Sequence, residues 1–205
     1  MTAAGLAPCA LLGREADRER IVSALRSNRV VTVVGPGGIG KTSLAREIAA
    51  SFPSPVVCDL ANAKTAADLI AAAANAMGIA TSGTAEAACE QVTAALEARA
   101  PSLLLLDNLE RVANAEPLLE RWSTRGLTLL CTSRRRLELR FALDLELQPL
   151  AAEAALQLFL SRARQRAPEL PADEWTTQLV QRLEGNPLAL ELAAARAHVL
   201  PPRAL

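Results

Sequence analysis

Gly35-Pro36-Gly37-Gly38-Ile39-Gly40-Lys41-Thr42 follows a β-branched run, Val30-Val31-Thr32-Val33-Val34, and leads into a helix-like stretch, Ser43 to Ala50. The spacing is that of a phosphate-binding loop, a glycine separated by four residues from Gly-Lys-Thr, and the strand–loop–helix setting is the context such a loop needs. Polyphosphate presents several anionic oxygens that need many donors at short range. Gly35, Gly38 and Gly40 admit backbone conformations closed to residues with a Cβ, which lets successive N–H groups converge on one anion. The helix start that follows adds unpaired donors and a favourable dipole. The binding set therefore runs Gly35, Pro36, Gly37, Gly38, Ile39, Gly40, Lys41, Thr42 and Ser43. Lys41 is expected to reach the β- and γ-phosphates, and the Thr42 hydroxyl to ligate Mg²⁺.

The chain has 205 residues, enough for one α/β domain and a small appendage. Hydrophobic residues make up 51% but aromatics only 2%, so the core must be built from Leu, Ala and Val. Lys+Arg and Asp+Glu stand at 22 each, which leaves no global field to attract nucleic acid or anionic lipid. Cys9, Cys58, Cys89 and Cys131 lack metal-ligand or C-x-x-C spacing and read as structural thiols of a reducing compartment. The first twelve residues lack the charged and apolar regions of a signal, and no apolar run is long enough to span a membrane. The expected location is cytoplasmic.

Strand and helix patterns alternate to about residue 150, which predicts a parallel sheet with helices on both faces. Strands are expected at Arg29–Val34, Pro55–Asp59, Ser102–Asp107, Leu127–Thr132 and Ala142–Leu147, the last alternating Leu143, Leu145 and Leu147 with acids. Helices are expected at Asp17–Ser27, Lys41–Ala50, Thr65–Met77, Ala85–Arg99 and around Ala115–Trp122, with a Thr65–Asp68 capping box. Beyond Pro149, Ala151–Arg166, Asp173–Glu184 and Leu188–Val199 read as three helices. The organisation expected is a nucleotide-binding domain over 1–150 and a small helical lid subdomain over 151–205, with the helical part incomplete at Leu205.

Two more segments carry chemistry. Leu103-Leu104-Leu105-Leu106-Asp107 is an apolar strand ending in an acid, about 65 residues after the loop. A strand neighbouring the loop strand must deliver such an Asp to the Mg²⁺ beside Thr42, so Thr42 and Asp107 form the expected metal pair. Asn108 stands where many such ATPases place a glutamate and has no basicity, so hydrolysis is expected to be slow or conditional. Glu110 substitutes only if the turn brings it inward. Leu129 to Arg136 is a strand ending in three arginines. Arg134 is placed to contact the γ-phosphate and sense its loss, while Arg135 and Arg136 read as a solvated charge run. Lys41, Asp107 and Arg134 are the candidate catalytic residues.

With Leu12-Gly13-Arg14-Glu15 ahead of the first strand and Gly185-Asn186-Pro187 ahead of the last helix, the ordered motifs resemble the STAND class of signalling ATPases. The likeness is greatest to the NB-ARC-like module of large bacterial LuxR- and SARP-type transcriptional regulators, over roughly residues 11–205. The resemblance implies base-proximal roles for Gly13, Arg14 and Glu15. It implies a first sensor at Thr132, Ser133 and Arg134, and a Pro187 that contacts base or ribose. It also implies ATP/ADP exchange with possible self-association in the ATP state. Such proteins continue into a winged helix with a phosphate-reading His and then a sensor region. His198 matches no such motif and reads as ordinary helix surface or packing.

The leading expectation is an ATP/ADP-binding signalling switch, with nucleotide as the partner and no direct nucleic acid or membrane partner. A stand-alone P-loop ATPase or small-molecule kinase is the alternative, and an AAA+ loader-type ATPase acting on DNA is a third. The absent N-K-x-D sequence favours adenine over guanine.

Overall fold

The computed structural model describes residues 11–137, 139–197 and 199. Cys9 and His198, and the sequence readings attached to them, lie outside the described residues.

Contacts divide the chain into two units, each with its own core. One comprises residues 18–36 and 41–147. It holds five parallel strands, β1 (Val30–Val34), β2 (Val56–Asp59), β3 (Leu104–Asp107), β4 (Leu129–Ser133) and β5 (Leu143–Glu146), in the order β2-β3-β4-β1-β5. Every residue of β1, β3 and β4 is buried, the signature of strands covered on both faces. The sequence-based expectation of an α/β parallel sheet with helices on both faces is met. One detail needs correcting: the acid-bearing β3 is not the neighbour of the loop strand, because β4 lies between them and pairs with both. Order across a sheet is set by which faces pack and is not written in the local pattern of any strand.

The helices of this unit are α1 (Glu15–Ser27), whose first residues belong to the other unit, α2 (Lys41–Ala50), α3 (Ala66–Met77), α4 (Ala85–Arg99) and α5 (Glu116–Thr124). Thr65 caps α3 in the reciprocal arrangement expected, its backbone N–H donating to Asp68 and its hydroxyl accepting from the Asp68 N–H. The core is mostly aliphatic around one large side chain, Trp122, whose Nε1 donates to Thr93 Oγ1 at 3.1 Å. That bond joins α5 to α4 and satisfies the one polar atom of a fully buried indole. Cys58 and Cys131 are buried, and burial pushes both thiols up to about 12, so they behave as small apolar side chains. At the sheet edge the expected alternation is only partly realised. Leu147, just after β5, is buried, but Leu143, at the start of this edge strand, is exposed.

The other unit comprises residues 11–17, 37–40 and 148 onward. Its helices are α6 (Ala152–Ala163), α7 (Glu174–Arg182) and α8 (Pro187–Arg196). They enclose Phe159 among Leu150, Ala155, Leu179, Val180, Leu190 and Ala194. Asp173 caps α7 by accepting from Thr176 N at 2.9 Å.

Candidate functional site: a phosphate loop and its acid

Gly35 follows β1, and its N–H donates to Ser133 O of β4 at 3.2 Å, fixing the loop's first residue to the sheet. Gly38 and Gly40 sit at φ +78° and +98°, where a side chain would strain the backbone. Lys41 opens α2 and is buried, with its Nζ donating to Gly35 O at 2.7 Å and Pro36 O at 2.9 Å. Burial lowers its pKa first of all. The Glu110 carboxylate opposes that shift, Arg134 adds to it, and Asp107 opposes it more weakly. A cation held under those conditions is poised to gain from an incoming anion.

Asp107, at the C-terminal end of β3, is buried and has both carboxylate oxygens engaged. Oδ1 accepts from Thr42 Oγ1 at 2.8 Å and from Thr132 Oγ1 at 2.6 Å. Oδ2 lies 3.3 Å from Arg46 Nη2, which also reaches Asp59 Oδ2 at 3.3 Å. The hydroxyl and acid proposed from sequence as a metal pair are thus in direct contact. They are hard oxygen donors of the kind Mg²⁺ takes. Among the described residues no cluster of three or more His, Cys, Asp or Glu is placed to hold a metal.

Arg46 is the residue that sequence reasoning missed. Its only signal is its position four residues after Thr42 on the same helix face. Thr132, read only within the sensor segment, bridges two strands, because its Oγ1 also accepts from Asn108 N at 2.9 Å. Arg134 follows β4 with an exposed side chain whose Nε lies 3.5 Å from Glu110 Oε1. Arg135 and Arg136 are exposed, as a solvated charge run should be.

In the other unit, Arg14 is buried and spends its guanidinium on protein groups. Nη1 donates to Gln148 O at 2.7 Å and Asp17 Oδ2 at 2.9 Å, and Nη2 to Ile39 O at 2.8 Å. Gly13 and Glu15 beside it are exposed. Asn186 caps α8 by accepting from Leu188 N at 3.0 Å and Ala189 N at 3.3 Å. Its Nδ2 also donates to Gly37 O at 3.3 Å, and Leu188 N donates to Gly38 O at 3.2 Å. A Cβ added to Gly38 would stand 2.8 Å from Leu188 Cβ, so a glycine is required there by space as well as by φ. Gly185 (φ +66°) is constrained likewise: a Cβ would lie 2.3 Å from Leu150 O. Pro187 is half-buried at the first position of α8, where its missing N–H costs nothing.

A phosphate loop after β1, a buried acid ending β3 and the polar C-terminal end of β4 between them define a P-loop ATPase of the α/β class. A family model described as "AAA domain" matches residues 24–164, and the chain belongs to that family. A Mycobacterium tuberculosis protein named as uncharacterized is 33% identical over 206 residues, covering 93% of this chain and 51% of that protein. A second protein from that organism, named only provisionally as an HTH-type transcriptional regulator, is 31% identical over 189 residues, covering 87% of this chain and 21% of the other. The chain therefore spans about half, or less, of the length of these relatives. Among solved structures, Cdc6p from Pyrobaculum aerophilum aligns with a TM-score of 0.68 at 13% identity, covering 95% of this chain and 64% of that one. The Aeropyrum pernix ORC1 protein in complex with DNA gives 0.67 at 20%, covering 94% and 62%. A Walker-type ATPase of Pyrococcus abyssi gives 0.66 at 15%, covering 91% and 67%. At these identities the likeness is one of fold.

Proposed function

We propose that this chain is the ATP/ADP-binding module of a signalling switch, of the STAND/NB-ARC kind, with slow or conditional hydrolysis. The observation that carries the ATP half is the contact of Thr42 with Asp107 beside the buried Lys41. Lys41 and the loop N–H groups would hold the β- and γ-phosphates, while Thr42 and Asp107 would hold Mg²⁺, which supplies charge neutralisation between those phosphates. Arg134 would sense the γ-phosphate, and Pro187 would pack on base or ribose. Arg14 would act near the base by fixing the Ile39 carbonyl.

The switch half rests on the loop carbonyls. Gly37 O and Gly38 O accept from Asn186 and Leu188 at the start of α8. A loop that turns its N–H groups onto phosphate reorients those carbonyls, so α8 registers whether the nucleotide has its γ-phosphate. In this reading residues 1–150 form the nucleotide domain and 151–205 a helical subdomain, working in the cytoplasm and self-associating with ATP. Sensor and output belong to other parts of a longer regulator, as the short coverage of both relatives suggests. No helix among the described residues is long and apolar enough to cross a membrane.

The test has two stages. Purified protein is denatured and any released nucleotide identified by chromatography, with near-stoichiometric ADP expected of a resting switch. Lys41→Ala is then expected to weaken ATP binding by about 100-fold, the scale of losing charge-assisted hydrogen bonds to phosphate. Unchanged binding would remove the ATP reading. Identical protease protection and hydrodynamic size in ATP and ADP would remove the switch.

A second reading is favoured by the solved neighbours, one of which holds DNA: an ATPase that assembles on DNA. The balanced charge, 22 against 22, argues against direct contact by this segment. Salt-sensitive DNA binding by the chain would favour that second reading.

A further inference from the structure

Asn108 leaves the position after the metal-side acid without a base, and the backbone shows where the missing carboxylate has gone. Asn108 adopts the left-handed conformation (φ 67°, ψ 42°), which Asn enters more readily than other residues with a Cβ. Its N–H is tied to Thr132 Oγ1, and a single 3₁₀ turn, Leu109–Arg111, follows with Leu109 locked in the core. That reversal carries Glu110 inward. Its side chain is only 11% exposed. Oε1 faces Arg134 Nε at 3.5 Å, while Oε2 is shielded from solvent with no hydrogen-bond partner. The Glu110 carboxylate also works against the burial that lowers the Lys41 pKa.

A buried carboxylate kept for stability would have both oxygens bonded, since an unpaired one is costly. Glu110 instead holds one oxygen in reserve within electrostatic reach of the residue that takes the γ-phosphate. Resting on the ATP reading above, we propose that Glu110 is the general base for ATP hydrolysis in this chain, and that Arg134 orients it. A water oxygen bonds to the γ-phosphorus as its proton passes to the free Glu110 oxygen. The bond from that phosphorus to the β,γ-bridging oxygen breaks, and its electron pair leaves with ADP. The proton then passes from Glu110 to solvent, and inorganic phosphate departs. Arg134, paired with Glu110, meets the γ-phosphate as a competing anion. The guanidinium therefore links arrival of the substrate to the orientation of Glu110, which makes turnover conditional.

The experiment uses the full chain with MgATP. Glu110→Gln keeps size and shape, so its affinity for a non-hydrolysable ATP analogue and its unfolding midpoint are expected to match the parent. Single-turnover phosphate release is expected to fall by about 100-fold or more, the usual scale of a lost general base. Glu110→Asp should recover part of the rate. Adding Arg134→Gln to Glu110→Gln should slow the reaction no further, as for residues acting as one unit. Parental turnover in Glu110→Gln, or a loss of affinity that accounts for its slower rate, overturns the assignment. An additive double variant overturns the coupling to Arg134. A parent chain that binds the analogue but releases no phosphate overturns the base while leaving nucleotide binding in place. A parent that binds no nucleotide overturns the reading beneath both.

Discussion

The inner strands of the sheet and helix α8 use apolar residues in opposite ways. Every residue of β1, β3 and β4 is buried, whereas α8 buries Leu190 and Ala194 but leaves Leu188 and Leu192 at 50% and 61% exposure. The strands commit both faces to packing, so the polar groups at their C-terminal ends, Asp107 and Thr132, are held by rigid neighbours. Helix α8 commits one stripe to its core and fixes its start through a cap and backbone bonds. The difference separates two ways of placing function: side chains positioned by a core, and a helix end positioned by hydrogen bonds that a change in the loop can rearrange.

The contrast is broken most directly by cutting into β3. Leu105→Ala is expected to cost about 2–5 kcal/mol, read as a lower urea midpoint at unchanged slope. A cost below about 1 kcal/mol would mean that the strand is less firmly packed than its burial implies. Gly185→Ala, just ahead of α8, combines a left-handed backbone with a clash on Leu150 O. It is expected to cost about 1–3 kcal/mol in thermal unfolding.

Alkaline titration sharpens the contrast from the sheet side. Cys58 and Cys131 ionise at about 12 when folded, against 9.0 in the unfolded chain, so above pH 9 the unfolded state loses protons first. Their contribution is complete below pH 9 and is lost as pH rises toward 12. By pH 10 this removes about 1 kcal/mol per thiol. The lowered pKa of Lys41 acts in the opposite sense, since there the unfolded chain keeps its proton longer. Urea midpoints at pH 8 and pH 10, repeated with Cys58→Ala and Cys131→Ala, should show the decline and then its flattening.

Asn186→Ala removes the cap of α8 and is expected to cost about 1 kcal/mol. Its more telling effect would be the loss of any difference between ATP and ADP in protease protection. Leu192→Ala should stay within about 0.5 kcal/mol of the parent, as suits an exposed side chain.

Much of this was legible from residue order alone. The phosphate loop announces itself through fixed spacing, and the Thr65–Asp68 cap through two partners three residues apart. The place of Asp107 at the end of a buried strand was legible from the apolar run that precedes it. What escaped depends on register between distant elements. No local pattern inserts β4 between β3 and β1, and none says that Arg46 on α2 meets the acid ending β3. The inward turn of Glu110 hangs on one left-handed residue, Asn108, whose identity permits that conformation without requiring it.

Helix α8 begins with the backbone donors of its first residues already spent. Pro187 has no N–H, Asn186 Oδ1 takes those of Leu188 and Ala189, and Leu190 N is spent on Asn186 O. The attraction that a helix start normally exerts on an anion is therefore muted here. Whatever Pro187 touches, it meets as a hydrocarbon surface, suited to the flat face of a base or a sugar edge and indifferent to phosphate charge.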